Sequence, residues 1–212
     1  MFDFAQTRVI RTEPFLFDFG VGLVVGTMVA THLGWRPVEA VVAGDQCLTF
    51  DGGLQVVTAV SRRTVKTKGA AADPLTWPLV VPVGALGNRE ELMLLPEQAV
   101  LIESDTAEQV FGDPFALIPA AALDGLRGVY RKPPAAEIEV VTLHFSQDEI
   151  VYANVGALFY CPVQTDLLAE PTVPAYEALS MDDAELLVHF LKQEDAGQVA
   201  YGQATRAFRL AA

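Results

Sequence analysis

The side chains able to carry chemistry in this 212-residue chain are few: two cysteines, three histidines and scattered acids. Cys47 and Cys161 make neither a disulfide framework nor a thiolate metal site. Two independent buried thiols is the preferred reading, with a single pair as the alternative. Cys47 lies in Cys-Leu-Thr-Phe with no cation adjacent in sequence, the setting of a structural rather than a reactive thiol. His32 falls in a turn before Leu-Gly-Trp, His144 in a strand and His189 in a helix. None stands at ligand spacing from another His or Cys, so neither a metal nor a cofactor is expected. Glu90-Glu91, Asp148-Glu149 and Asp182-Asp183 are adjacent acids, and neighbours on a strand point to opposite faces. They read as solvated charge, not as working carboxylate pairs.

The bulk composition narrows the function classes. The chain carries 14 basic against 27 acidic residues, a net charge of −13, which disfavours a nucleic-acid partner because phosphate recognition rests on clustered Lys and Arg. The one compact basic run, Arg62-Arg63-Thr64-Val65-Lys66-Thr67-Lys68, reads as a solvated hairpin or loop. At 51% hydrophobic residues a sizeable core is expected. The longest uncharged run, Phe19 to Trp35, is too short and too rich in glycine for a spanning helix, and no basic start followed by an apolar block marks a signal peptide. Neither a membrane nor a targeting segment is expected. The expected location is the cytoplasm, with leaderless secretion as the alternative.

Such residues need elements to position them. Residues 1–20 alternate apolar and polar, as in a strand that covers a sheet edge or face. Residues 21–165 form a β domain. Strands are expected at Val29–Thr31, Cys47–Phe50, Leu54–Val60, Leu79–Val83, Ala136–Phe145 and Glu149–Ala153. Asp51-Gly52-Gly53 makes a hairpin, because its turn needs positive φ. A short helical piece is expected near Phe115–Leu123. Residues 166–212 form a linker, opened by Pro171 and Pro174, and a helix packed on the domain. Ser180 with Asp183 resembles a capping box. Ala184, Leu187, Val188 and Leu191 give the helix one apolar stripe, and Gly197 is its expected stop.

With the strands placed, Gly26-Thr27-x-Val29-Ala30-Thr31-x-x-Gly34-Trp35-Arg36-Pro37-Val38-Glu39-Ala40 and Gly44-Asp45-x-x-Leu48-Thr49-x-Asp51-Gly52-Gly53 resemble the start of a bacterial Hint domain. Hint is the fold of hedgehog autoprocessing domains and inteins. Pro82–Gly87, Leu94–Leu101 and Val141–Ala153 resemble later family segments in the same order. The resemblance implies an all-β Hint fold of wrapped hairpins with pseudo-twofold symmetry, plus the C-terminal helix. It also implies chemistry: a Cys or Ser attacks the preceding carbonyl and converts a peptide bond into a thioester or ester, assisted by a histidine.

This sequence departs from the pattern at those positions. Counting back from Gly26 puts Gly22 at the nucleophile's place, and glycine has no side chain with which to attack. Gln98 falls at the histidine position, and an amide cannot shuttle a proton near neutral pH. Asp148 falls within the late polar run. The expectation is a degenerate site at Gly22, Gln98 and Asp148, and a protein kept as a structural or interaction module for an unidentified protein or peptide partner. The alternative is an active autoprocessing domain with Thr27 or Cys47 as the nucleophile.

Overall fold

The computed structural model describes residues 21–163 and 175–211. In chain order the strands are β1 (Leu23–Val24), β2 (Met28–Thr31), β3 (Gly34–Pro37), β4 (Gln46–Thr49), β5 (Gly53–Val56), β6 (Ala59–Lys66), β7 (Leu79–Val81), β8 (Leu92–Leu94) and β9 (Ala99–Glu103). The helix α1 (Asp105–Phe111) precedes β10 (Phe115–Pro119), β11 (Tyr130–Arg131), β12 (Glu137–His144), β13 (Glu149–Ala153) and β14 (Ala157–Cys161). The helix α2 (Met181–Ala211) comes last. The strands form three sheets: β1-β12-β6, the larger β10-β9-β14-β13-β2-β4-β5 with β3 on β2, and β11-β7-β8.

Alternation explains the strand that carries the site. In the first half of β12, Ile138 and Val140 are buried while Glu137 and Glu139 are exposed; farther on, Val141 and Leu143 of the other face are buried in the main core. β4 and β5 meet through Asp51-Gly52-Gly53, with Leu48 opposite Leu54 and Gly53 at φ +65°. The main core draws on the large sheet and on Leu187, Val188 and Leu191 of α2. A smaller cluster of Leu95, Ile138 and Val140, joined by Val24 and Val65, lies under the sheet β1-β12-β6.

Several expectations need correction. The run from Leu54 to Val60 is two strands, broken at Val57-Thr58, where Thr58 N–H turns to the His144 carbonyl. The basic run, expected as a hairpin or loop, lies mostly in the eight-residue strand Ala59–Lys66, which pairs with the distant β12. The piece near Phe115–Leu123 is not helical as a whole. Phe115–Pro119 pairs with β9, and only Ala120–Leu123 closes a tight 3₁₀ turn after Pro119. The helix missed by the sequence reading is α1, capped by the Ser104 hydroxyl and ended by Gly112 in the left-handed region. Gly197 does not stop α2, which continues to Ala211. An internal glycine costs a helix only about 1 kcal/mol, which neighbouring turns absorb. The expected segments at 1–20 and around Pro171 and Pro174 lie outside the described residues.

The start of α2 follows the sequence closely. The Ser180 hydroxyl accepts from Asp183 N–H and donates to its carboxylate. Ala184, Leu187, Val188 and Leu191 are buried against the core. Farther on, Arg127 grips Asp195 with two hydrogen bonds, and Lys192 Nζ donates to the Asp124 carbonyl. No helix among the described residues is long and apolar enough to cross a membrane.

The β13–β14 turn contains a strained residue. Val155 is β-branched and sits at φ +66°, next to Asn154 at φ +43°. Asn154 is held from three sides: its N–H donates to the Met28 carbonyl, its side-chain oxygen accepts from Met28 N–H, and its carbonyl accepts from Arg89 N–H. The turn is therefore fixed by its neighbours, and Val155 bears a left-handed conformation that costs about 1–2 kcal/mol. Val155→Gly is expected to stabilise the protein by roughly 1 kcal/mol, measured as a raised urea midpoint at unchanged slope. A lowered midpoint would mean that contacts of the Val155 side chain outweigh the strain.

Candidate functional site

The site is built where the chain enters β1. Leu23 and Val24 pair with Val141 and Val140 of β12, which lays the Val21–Gly22 peptide along the same strand. The Val21 carbonyl accepts from Thr142 Oγ1 at 3.2 Å and from Arg63 Nη2 at 3.4 Å. On the other side of the bond, Gly22 N–H donates to Gln98 Oε1 at 3.3 Å. One peptide is thus held at both its oxygen and its nitrogen, by side chains from β6, β12 and the turn before β9.

Gln98 is 1% exposed and its amide is fully oriented. Its Nε2 donates to the Ala99 and Tyr160 carbonyls, both at 2.9 Å. With the amino end committed to two acceptors, the carbonyl end must face Gly22. An amide oxygen can accept a hydrogen bond from the peptide nitrogen but cannot supply that nitrogen with a proton.

Gly22 sits at φ +150°. A Cβ added there would lie 2.6 Å from Val140 Cγ1, 2.9 Å from Thr142 Oγ1 and 3.2 Å from the Val141 carbonyl oxygen. The space a nucleophilic side chain would start from is filled by valine.

Of the positions singled out from the sequence, the structure brings Gly22 and Gln98 into direct contact. Asp148 is set apart. It is buried, and its two oxygens accept from Val163 N–H at 2.7 Å and Ala175 N–H at 2.9 Å. Tyr160 stands between: its carbonyl meets Gln98, while burial and the nearby Asp148 carboxylate push its hydroxyl up to about 12. Thr27 lies at the far end of β1, buried, with its N–H on the Val24 carbonyl and its own carbonyl accepting from Val38 N–H. Cys47 belongs to β4 in the large sheet, opposite Gln55 and Thr31. It is fully buried, and burial, reinforced by Asp45, pushes its thiol up to about 11. Cys161 is also a free, buried thiol, raised further by burial.

The sequence reading missed Arg63, Thr142 and Val140. Thr142 and Val140 share a face of β12 by alternation, so the strand's pairing with β1 was the signal for them. Arg63 was hidden because its segment reads as a solvated hairpin or loop, with nothing to pair it with β12. On the same face His144 Nε2 shares a hydrogen bond with Ser61 Oγ at 2.9 Å, while its Nδ1 is buried without a partner among the described residues. Among those residues no group of three His, Cys, Asp or Glu side chains is placed to hold a metal ion.

A family model described as the Hint domain matches residues 21–158. Among solved structures, the chain is similar to the solution structure of a bacterial intein-like domain from Clostridium thermocellum, at 14% identity and TM-score 0.48, covering 66% of this chain and 99% of that one. It is also similar to the crystal structure of the gp41-1 intein, at 16% identity and TM-score 0.41, covering 65% of this chain and 96% of that one. No curated protein sequence matches.

Proposed function

The chain belongs to the Hint domain family, and from that premise we propose that it has lost the family's self-cleaving reaction and serves as a structural or interaction module. Its fold is the all-β Hint fold with a helix appended. We take residues 21–165 as the Hint unit and 166–212 as a linker and helix that pack on it.

The observation that carries this reading is the Val21–Gly22 peptide. The family's reaction needs a nucleophile on the residue after the carbonyl, a polarised carbonyl, and a proton for the departing nitrogen. In this chain Thr142 and Arg63 still face the carbonyl oxygen. The nucleophile's position is Gly22, and the group facing the nitrogen is the amide oxygen of Gln98. A polarised carbonyl with neither attack nor proton delivery is a held bond. The same side chains that would prepare a bond for cleavage here hold the Val21–Gly22 peptide in place.

The test is intact-mass spectrometry of the full chain after prolonged incubation, with and without a thiol or hydroxylamine. A single unchanged mass is expected under every condition. Time-dependent appearance of the mass of residues 22–212 would overturn the reading.

A further inference from the structure

Among the described residues, β6 is the outermost strand of its sheet and pairs only with β12. Just beyond its end Thr67 N–H donates to the Ala136 carbonyl. In an antiparallel ladder the main-chain groups of alternate residues face the partner, so those of Lys66, Thr64 and Arg62 point to the open edge. None of them has a main-chain partner among the described residues. The strand is exposed along most of its length, and only Val60 and Val65 are half-buried.

The edge is also basic within an acidic protein. Arg62, Arg63, Lys66 and Lys68 make no ion pair among the described residues, whose salt bridges are Arg36–Asp45, Arg127–Asp195 and Arg131–Asp124. Arg62 and Arg63 donate to main-chain carbonyls, with no direct ion pair to a carboxylate among the described residues. The nearest acids on the sheet, Glu137 and Glu139, stand opposite Lys66 and Thr64 on β12, the side away from the open edge. A groove of about 220 Å³, lined in part by Arg62, Arg63, Thr64, Glu39 and Glu139, adjoins the strand.

We propose that β6 is a docking edge for an acidic, extended peptide that joins the sheet as an added antiparallel strand. Main-chain hydrogen bonds to Arg62, Thr64 and Lys66 supply the pairing, and acidic side chains opposite the cations supply the selectivity. Reading along the added strand, the residues facing Lys66, Val65, Thr64, Arg63 and Arg62 are acidic, apolar, small, acidic and acidic. A second copy of this chain does not fit. Antiparallel pairing of two β6 strands about Thr64 sets Arg62 of one copy against Lys66 of the other, and like charges directly opposite repel. The proposal gives the interaction-module reading a partner class. Its test is independent of cleavage, which the mass measurement decides separately.

The probe is a fluorescein-labelled peptide containing Glu-Val-Thr-Glu-Glu, titrated with the full chain and followed by anisotropy. Saturable binding is expected, weakened about tenfold by the double charge reversal Arg62→Glu with Lys66→Glu. Binding should also be lost when the peptide is N-methylated at its central threonine, which removes an edge hydrogen bond without changing charge. That second arm needs no protein variant, so it stands even if the charge reversal disturbs folding. Failure of the peptide to bind would overturn the proposal. So would equal binding of the N-methylated peptide, or equal binding of an oligonucleotide of the same charge, since either marks a general anion surface.

Discussion

Gly22→Cys is expected to leave the chain uncleaved and to destabilise it by roughly 2–4 kcal/mol, through a crowded Cβ and a φ that suits glycine. The new Cβ would meet Val140 Cγ1 at 2.6 Å and Thr142 Oγ1 at 2.9 Å, and Gly22 sits at φ +150°. Restoring the thiol alone therefore restores neither the geometry nor the proton source. Adding Val140→Ala opens the space but leaves the Gln98 oxygen facing the nitrogen. Only the triple variant, with Gln98→His as well, supplies an attacking group, room for it and a proton donor. Intact mass and thermal melting of the three variants separate these steps. Cleavage by the single Gly22→Cys variant, at any measurable rate, would mean that the crowding and the amide orientation do not limit the reaction.

Gly156→Ala is the substitution expected to cost the most stability, about 4 kcal/mol, because the clash is backbone against side chain. A Cβ at Gly156 would overlap the carbonyl of Gly87. Neither party is a flexible side chain that could swing away. Gly87 is itself at φ +76°, and the Gly156 turn is held by its N–H on the Ala153 carbonyl and by the Asn154 bonds. The melting temperature is expected to fall by about 10 °C. Gly84→Ala is the informative control. It has φ +85° but open space where the Cβ would go, so it should cost only about 1 kcal/mol. Gly156 itself is outside the left-handed region, so a loss at Gly156 no larger than at Gly84 would show that close approach to Gly87 does not set the cost.

The residues explain which parts of this molecule are legible in its sequence. The entry of the chain into the fold is legible because glycine-bounded turns and the Asp-Gly hairpin have few conformations open to them. The resemblance of Gly26-Thr27 and of Gln98-Ala99-Val100-Leu101 to the family's motifs then points to Gly22 and Gln98, which the structure brings into contact. The basic strand is not legible. Its side chains are exposed on nearly all sides, so it carries no period-two alternation, and charge alone reads as a solvated hairpin or loop. Phe115–Leu123 misleads in the opposite direction. Its alanines favour a helix, but pairing with β9 fixes the first five residues as strand, and the helical part shrinks to one tight turn after Pro119. Arg63 and Thr142 are ordinary residues in sequence and reach the Val21 carbonyl only through the register of β1, β12 and β6. Asp148, read as part of the site, is committed instead to the main chain on either side of residues 164–174.

That commitment has an engineering consequence. Val163 and Ala175 deliver their N–H groups to the two oxygens of one carboxylate, so the ends of the intervening stretch are pinned to a common point. Lengthening a chain segment whose ends are already pinned adds only about 0.6 kcal/mol of closure entropy per doubling. Asp148 thus works as a clasp, and the stretch between Val163 and Ala175 is the natural port for grafting a cargo domain or opening new termini, with the sheets left undisturbed.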